Sequence, residues 1–394
     1  MYNTYAYELG TSGSCIRDLA AYGEERAAVV GAENVFDFSI GNPSIPAPAK
    51  INETVRQLLS QQDTLEVHSY TSAVGAYSTR KAIAEDLNSR YGTDITPEEL
   101  FLGCGAAPEL SAVFRALTFP GARILTIAPY FPEYRPYVEG AGAEFAVVPA
   151  DIPNFQIRLE AVEEMLTPNT AAIILNSPNN PAGTVCTEQT LRELAELLQR
   201  KSEEFGHPIY IVSDEPYREL TYDGVVAPYV PGIYPNTIVC YSYSKSLSLP
   251  GERIGYILVP RQAQDAKAVY AAVCGAARAQ GHICAPSLWQ KVIEKCAGLR
   301  PDLQAYDRNR KALYEGLVAA GYEVAKPQGA FYLFVKAPEG SAQAFSRRAM
   351  QKDLLIVPGD DFGCPEYCRL CYCVTYDKIR RSLPLFRELM EESK

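Results

Sequence analysis

Short apolar runs recur along the first two thirds of the chain: Phe36 to Ile40, Phe101 to Gly103, Arg123 to Ile127, Ala171 to Leu175, Ile209 to Val212 and Thr237 to Tyr241. Each is too short for a helix and rich in β-branched or aromatic residues, so each predicts a strand. Ala171 to Leu175 is apolar at every position, the pattern of a strand covered on both faces. Helical spacing fills stretches between them, as at Ala76 to Tyr91 and Glu188 to Phe205. Strands alternating with helices predict an α/β unit built on a mainly parallel sheet, over about 46–285. From about Ala285 the pattern changes. Two long helical stretches precede strand-like segments at Tyr322-Glu323-Val324, Phe331 to Val335 and Leu354 to Gly359, which predicts a smaller α+β domain over 286–394. At the other end, Ile16, Leu19 and Ala20 keep a helical spacing behind Ser14, a suitable N-cap. Residues 1–45 therefore read as an arm that contributes to the small domain.

Most of these strand runs empty into a turn of small, proline or asparagine residues, and in an open α/β sheet that is where ligands bind. Lys245 follows Thr237 to Tyr241 in a small-residue loop, with hydroxyls at Ser242 and Ser244 and a guanidinium at Arg253. That grouping suits a Schiff-base lysine beside a phosphate site. Gly103-Cys104-Gly105-Ala106-Ala107 leads from a strand into a helix start, whose orphan backbone N–H groups are fit to hold a phosphate. It is not a dinucleotide fingerprint, because the third glycine is missing and Pro108 intrudes. Asp214 ends an apolar strand, where a carboxylate is costly to bury unless it meets a positive partner.

Composition narrows the class. A hydrophobic content of 47% and a charged content of 21% are ordinary for a globular protein. The net charge of -10, with no basic tract, argues against a nucleic-acid partner. No stretch approaches the roughly 18 apolar residues of a membrane span, and Met1 to Tyr5 lacks the basic and apolar regions of a signal peptide. Eleven cysteines without secretory features suggest reduced thiols in a cytoplasm. Cys364, Cys368, Cys371 and Cys373 cluster, but they lack the duplicated Cys-x2-Cys spacing of zinc sites. Cys371 and Cys373 read instead as small buried residues on one face of a strand, and no metal is expected.

Ser242-x-Ser244-Lys245 followed by Gly251-x-Arg253-Ile254-Gly255-Tyr256 resembles the class I/II pyridoxal-phosphate aminotransferases, the fold-type I enzymes. Further segments between about Gly41 and Arg369 follow in that family's order. The resemblance implies a large domain with a mainly parallel seven-stranded sheet flanked by helices, plus a smaller α+β domain. It implies that Lys245 holds pyridoxal 5'-phosphate as an aldimine and acts as general base. Gly105, Ala106, Ala107, Ser242 and Arg253 would then hold the phosphate, and Phe131 would stack on the ring. Asp214 would meet the ring nitrogen, and Asn180 and Tyr217 the phenolic oxygen. Arg369 would clamp the substrate carboxylate, with Gly41 closing over it, and Tyr70 would reach the phosphate of a neighbouring subunit in a homodimer. Ala182, Pro216 and Cys371 depart from the family's usual residues, and Ala107 lacks the lysine of one aspartate-specific branch. The implied activity moves the amino group of an L-amino acid to a 2-oxo acid. A carbon-sulfur β-lyase on the same scaffold is the alternative, and a non-catalytic regulator is disfavoured by the acidic balance.

Overall fold

The structure, a computed structural model, describes residues 1–393. Its strands are, in chain order, β1 (Phe36–Asp37), β2 (Leu100–Gly103), β3 (Arg123–Ile127), β4 (Glu144–Val148), β5 (Thr170–Asn176), β6 (Tyr210–Asp214), β7 (Thr237–Ser242) and β8 (Gly255–Leu258). Then follow β9 (Tyr332–Lys336), β10 (Leu354–Leu355), β11 (Val357–Pro358) and β12 (Tyr367–Cys371). Seven of them form one sheet in the order β2-β8-β7-β6-β5-β3-β4. β8 runs antiparallel to both its neighbours, and the other pairings are parallel.

The all-apolar strands are central because both their faces are covered. On β5, Ala172 and Ile174 face a core with Val113, Phe114, Val269 and Val273 from the helices Ala106–Leu117 and Ala266–Ala279. Ile173 and Leu175 face the opposite core, with Val162, Leu194 and Leu198 from the helices Leu159–Met165 and Glu188–Phe205. The strand period of two thus splits one sequence run between two layers. The helix Glu188–Phe205 shows why its ends fall where they do. Thr187 caps it by accepting from the Thr190 amide, Gly206 closes it in the left-handed region, and Leu191, Leu194, Ala195 and Leu198 make its buried stripe.

The C-terminal part holds an antiparallel sheet in the order β11-β12-β9, packed with the helices Leu303–Ala319, Ala342–Met350 and Tyr376–Glu391. The N-terminal segment joins it: β1 pairs parallel with β10, and Arg26 makes a forked ion pair with Asp353 at 2.7 and 3.0 Å.

Several expected elements differ. The run Phe36 to Ile40 yields only a two-residue strand, because the Asp37 carboxylate accepts from the Ser39 amide and hydroxyl at 2.7 and 2.6 Å and turns the chain away. Leu354 to Gly359 is not one strand. Ser346 takes the Ile356 carbonyl at 2.8 Å, and the flanking pairs enter two different sheets. Tyr322 to Val324 contributes a single bridge, Val324 to Val335. The helix Thr4–Thr11 has no buried residue and carries no apolar stripe to reveal it; Asn3 caps it through the Ala6 amide. Lys245 lies on a one-turn helix, Tyr243–Ser246, rather than in a loop, because Ser242 accepts from the Ser244 amide and caps it.

The two sheets are tied at Gly183. Its carbonyl accepts from the amides of Gln328 and Gly329 at 2.7 and 2.8 Å, its φ is +69°, and a Cβ there would lie 2.5 Å from the Tyr332 carbonyl oxygen. Gly183→Ala should therefore lower unfolding stability by about 1–3 kcal/mol, read as a lower denaturant midpoint. An unchanged midpoint would show that the joint tolerates a side chain.

Candidate active site

The C-terminal ends of β5, β6 and β7 open on a cavity of about 340 Å³. Its wall includes Lys245, Asp214, Asn180, Ser242, Arg253 and Arg369. Gly41, Ala106, Ala107, Phe131 and Tyr217 complete the expected set there. Of the remaining two candidates, Gly105 lies just behind the wall, and Tyr70 lies outside the cavity and is 84% exposed.

Lys245 donates from Nζ to the Gly41 carbonyl at 2.7 Å. Burial holds its ammonium below the ordinary lysine range, and Arg369 and Arg253 push the same way against the nearby Cys373 and Cys371. Gly41 can approach so closely because it has no side chain; a Cβ there would run into the Tyr332 hydroxyl. That hydroxyl lies 3.0 Å from the Tyr217 hydroxyl.

Asp214 is fully desolvated at the end of β6. Its Oδ2 accepts from the Tyr134 hydroxyl at 2.5 Å, and its backbone carbonyl accepts from Asn176 Nδ2 at 2.9 Å. Oδ1 is buried with no hydrogen-bond partner among the described residues. Burial raises its pKa to about 7, with the Tyr134 bond acting downward and Glu215 upward. Asn176 also accepts from the Asn180 amide at 2.8 Å, which fixes the following loop against the same strand end.

Arg369 crosses between the sheets. From β12 it donates to Asn180 Oδ1 at 3.1 Å and to the Ser39 carbonyl at 2.6 Å, with its guanidinium 4.8 Å from the centre of the Tyr332 ring. At the other end of the cavity the helix Ala106–Leu117 points its N-terminus inward beside Ser242, Ser244 and Arg253. The Ser242 and Ser244 hydroxyls are 2.7 Å apart, and Arg253 Nη1 lies 3.4 Å from Ser244 Oγ. A Cβ on Gly105 would sit 2.6 Å from Arg253 Nη2, so only glycine lets the guanidinium close on this helix start. Glu109, in the first turn, is buried with both oxygens unpaired among the described residues, and burial drives its pKa well above the carboxylate range.

The sequence reading missed Tyr134, Asn176 and Tyr332. Tyr134 opens the helix Tyr134–Gly140, three residues after Phe131, and no local signal marks it. Asn176 was hidden inside a run of asparagines and prolines that reads as a turn. Tyr332 reads as a core strand residue.

The Aminotransferase class I and II family model matches residues 33–383. Among curated relatives, a probable aspartate/prephenate aminotransferase of Thermus aquaticus is 30% identical, covering 89% of this chain and 90% of its own. An aromatic-amino-acid aminotransferase 2 of Thermococcus litoralis is 28% identical, covering 92% and 94%. Among solved structures, an amino transferase from Eubacterium rectale superposes with a TM-score of 0.98 at 52% identity, covering 100% of this chain and 99% of the other. The Thermus thermophilus aspartate aminotransferase with maleate superposes with a TM-score of 0.85 at 26% identity, covering 99% and 100%.

The Asp214 environment sets a pH dependence in the cofactor-free protein. Its folded pKa of about 7 lies above the ordinary 3.8, so in that window the folded chain holds a proton that the unfolded chain has released. The stability this gives is present below the lower value and is lost as pH rises to the upper one. Wild type should lose stability relative to Asp214→Asn between about pH 5 and about pH 7, by up to ~1.4 kcal/mol per pH unit. Tyr134→Phe should carry the loss to higher pH. Parallel denaturant midpoints for all three proteins would contradict this.

Proposed function

The chain belongs to the class I and II aminotransferases, and from that premise we propose that its cavity binds pyridoxal phosphate and moves the amino group of an L-amino acid to a 2-oxo acid. The observation that carries the reading is the convergence of Lys245, Asp214 and Arg369, from separate elements, on one cavity.

The residues fit the cofactor. The buried Asp214 Oδ1, without a partner among the described residues, suits a protonated ring nitrogen as its donor. The amides of Ala106 and Ala107, the Ser242 and Ser244 hydroxyls and Arg253 suit a phosphate. Phe131 would stack on the ring, and Asn180 and Tyr217 would hold its phenolic oxygen. When bound, pyridoxal phosphate supplies an aldehyde that takes up an amino group and a ring that draws electrons from the carbon bearing it.

The chain does the rest. Lys245 would hold the aldehyde, and burial favours the neutral amine this requires. Arg369 receives the substrate carboxylate through its guanidinium fork, in a site where Asn180 and the Ser39 carbonyl already hold it in place. With the carboxylate fixed, the Lys245 amine would take the proton from the substrate Cα as general base. Asp214, aligned by Tyr134 and Asn176, would hold the ring nitrogen in its protonated form. We assign the working form as a cytoplasmic homodimer, with Tyr70 reaching the partner's phosphate site. Its exposure and its place outside its own cavity support this, and among the described residues no helix is long and apolar enough to cross a membrane.

Lys245→Ala should lose the visible absorbance of the loaded protein and lower amino transfer to 2-oxoglutarate by at least about 10⁴-fold, with no borohydride-trapped adduct at that position. Retained absorbance and turnover would reject the role. Pyruvate and ammonia released from cystathionine without an oxo acid would favour β-elimination instead.

A further inference from the structure

Glu109 takes no part in the chemistry assigned above, yet it is 2% exposed and neither of its oxygens has a hydrogen-bond partner among the described residues. It stands in the first turn of the helix Ala106–Leu117, whose start faces the phosphate end of the cavity. Side chains on a helix lean toward its N-terminus, and this one leans back over the strand ends beneath that start. Gly103 and Gly255, paired across β2 and β8, make the room. A Cβ on Gly103 would lie 2.5 Å from Glu109 Oε1, and one on Gly255 would lie 2.6 Å from it. The carboxyl therefore fills a hollow that glycines leave behind the cavity wall, sealed from solvent by its own chain.

Two charged groups bear on that hollow: Arg253, which closes on the helix start at Gly105, and Asp214 at the end of β6. The thiols of Cys104, after β2, and Cys240, on β7, face it as well. An ionised Glu109 would be a desolvated carboxylate without a hydrogen bond, beside a second buried acid. It would also offset the charge of Arg253, whose present partners, the Ser244 hydroxyl and the Pro250 carbonyl, are neutral. A phosphate dianion at the helix start would then meet a carboxylate behind the amides that receive it. The neutral acid removes both conflicts. The Tyr241 carbonyl borders the same hollow, and a protonated carboxyl, unlike a carboxylate, has a proton to offer it.

Resting on the reading of Arg253 and the helix start as a phosphate site, we infer that Glu109 is a positioning residue of that site: it works as a neutral acid, leaves the Arg253 charge to the phosphate, and gains or loses its proton together with the phosphate. Burial and the Asp214 charge both push its protonation to higher pH, and Arg253 acts against them. The sign follows from linkage. Ionisation of Glu109 as pH rises weakens phosphate binding, and phosphate binding in that range takes up a proton.

The test measures binding of inorganic phosphate to the whole cofactor-free protein by calorimetry. At about pH 6.5, Glu109→Gln should bind within about twofold of wild type, because a neutral amide replaces a neutral acid. By about pH 9, wild type should bind at least about fivefold more weakly than Glu109→Gln. In infrared difference spectra at the lower pH, the substitution should remove the carbonyl band of one protonated carboxylic acid. Tighter binding by Glu109→Gln at the lower pH, with no such band lost, would show an ionised Glu109 and overturn the inference. Parallel pH profiles would overturn the linkage. Wild type alone reads the same step should the variant fold poorly: in buffers of different ionisation enthalpy, phosphate binding at about pH 9 should take up a proton, and no uptake overturns the linkage. If wild type binds no phosphate, the phosphate-site reading falls and takes this inference with it, whereas amino transfer is judged separately by Lys245→Ala.

Discussion

A carboxyl group buried at the end of an apolar strand is the constraint the site is built around. Nothing in β6 compensates Asp214; its neighbours along the strand are Ile211, Val212 and Ser213, all buried. Left alone, an ionised carboxylate there would cost more than the strand's packing returns. The fold meets this by satisfying the group in part. Tyr134 takes one oxygen and Asn176 the backbone carbonyl, while the second oxygen has no partner among the described residues. The position is tolerable as a neutral acid and favourable as an ion only beside a cationic ligand. Such a group makes ligand binding and protonation one equilibrium.

The same logic extends under the turn that follows. Glu215 accepts from Ser213 at 2.7 Å and pairs with Arg218 at 2.8 Å, and Arg218 also donates to the Tyr256 hydroxyl and lies 4.3 Å from the centre of the Tyr241 ring. Arg90 holds Glu219 at 2.6 Å. These buried charges are matched on each side, so removing one member would strand another. Their position beneath Glu215 to Glu219 means that the network holds the backbone that aims both Asp214 and Tyr217. It contributes more to geometry than to net stability, since a matched buried pair recovers little beyond its own desolvation.

How much of this was legible in the sequence depends on what each signal rested on. The strand ends were legible because period and β-branching act locally: Ala171 to Leu175 and Thr237 to Tyr241 lie within β5 and β7. The cavity followed, since most of the residues expected there come from those strand ends. What was hidden depended on partners distant in the chain. Tyr134 gains its meaning only from Asp214, eighty residues on. The break at Ile356 depends on Ser346, and the early stop of β1 depends on an Asp37 turn that competes with pairing. Hydrophobicity alone cannot report a side chain that outbids the ladder for a backbone group.

Pro216, a departure from the resembled family, has a local explanation of the same kind. Glu215 donates its amide to Cys240 on β7 at 2.9 Å, which ends the strand pairing, and the Arg218 amide reaches back to the Glu215 carbonyl at 3.4 Å. Pro216 occupies the second position of that turn, where its fixed φ is favourable. A branched residue there would leave the turn more states to lose on folding; proline has already lost them. Because Pro216 also lines the cavity, the same ring stiffens the support of Tyr217 and forms part of the wall. The substitution therefore tightens the hinge between a buried acid and a buried phenol.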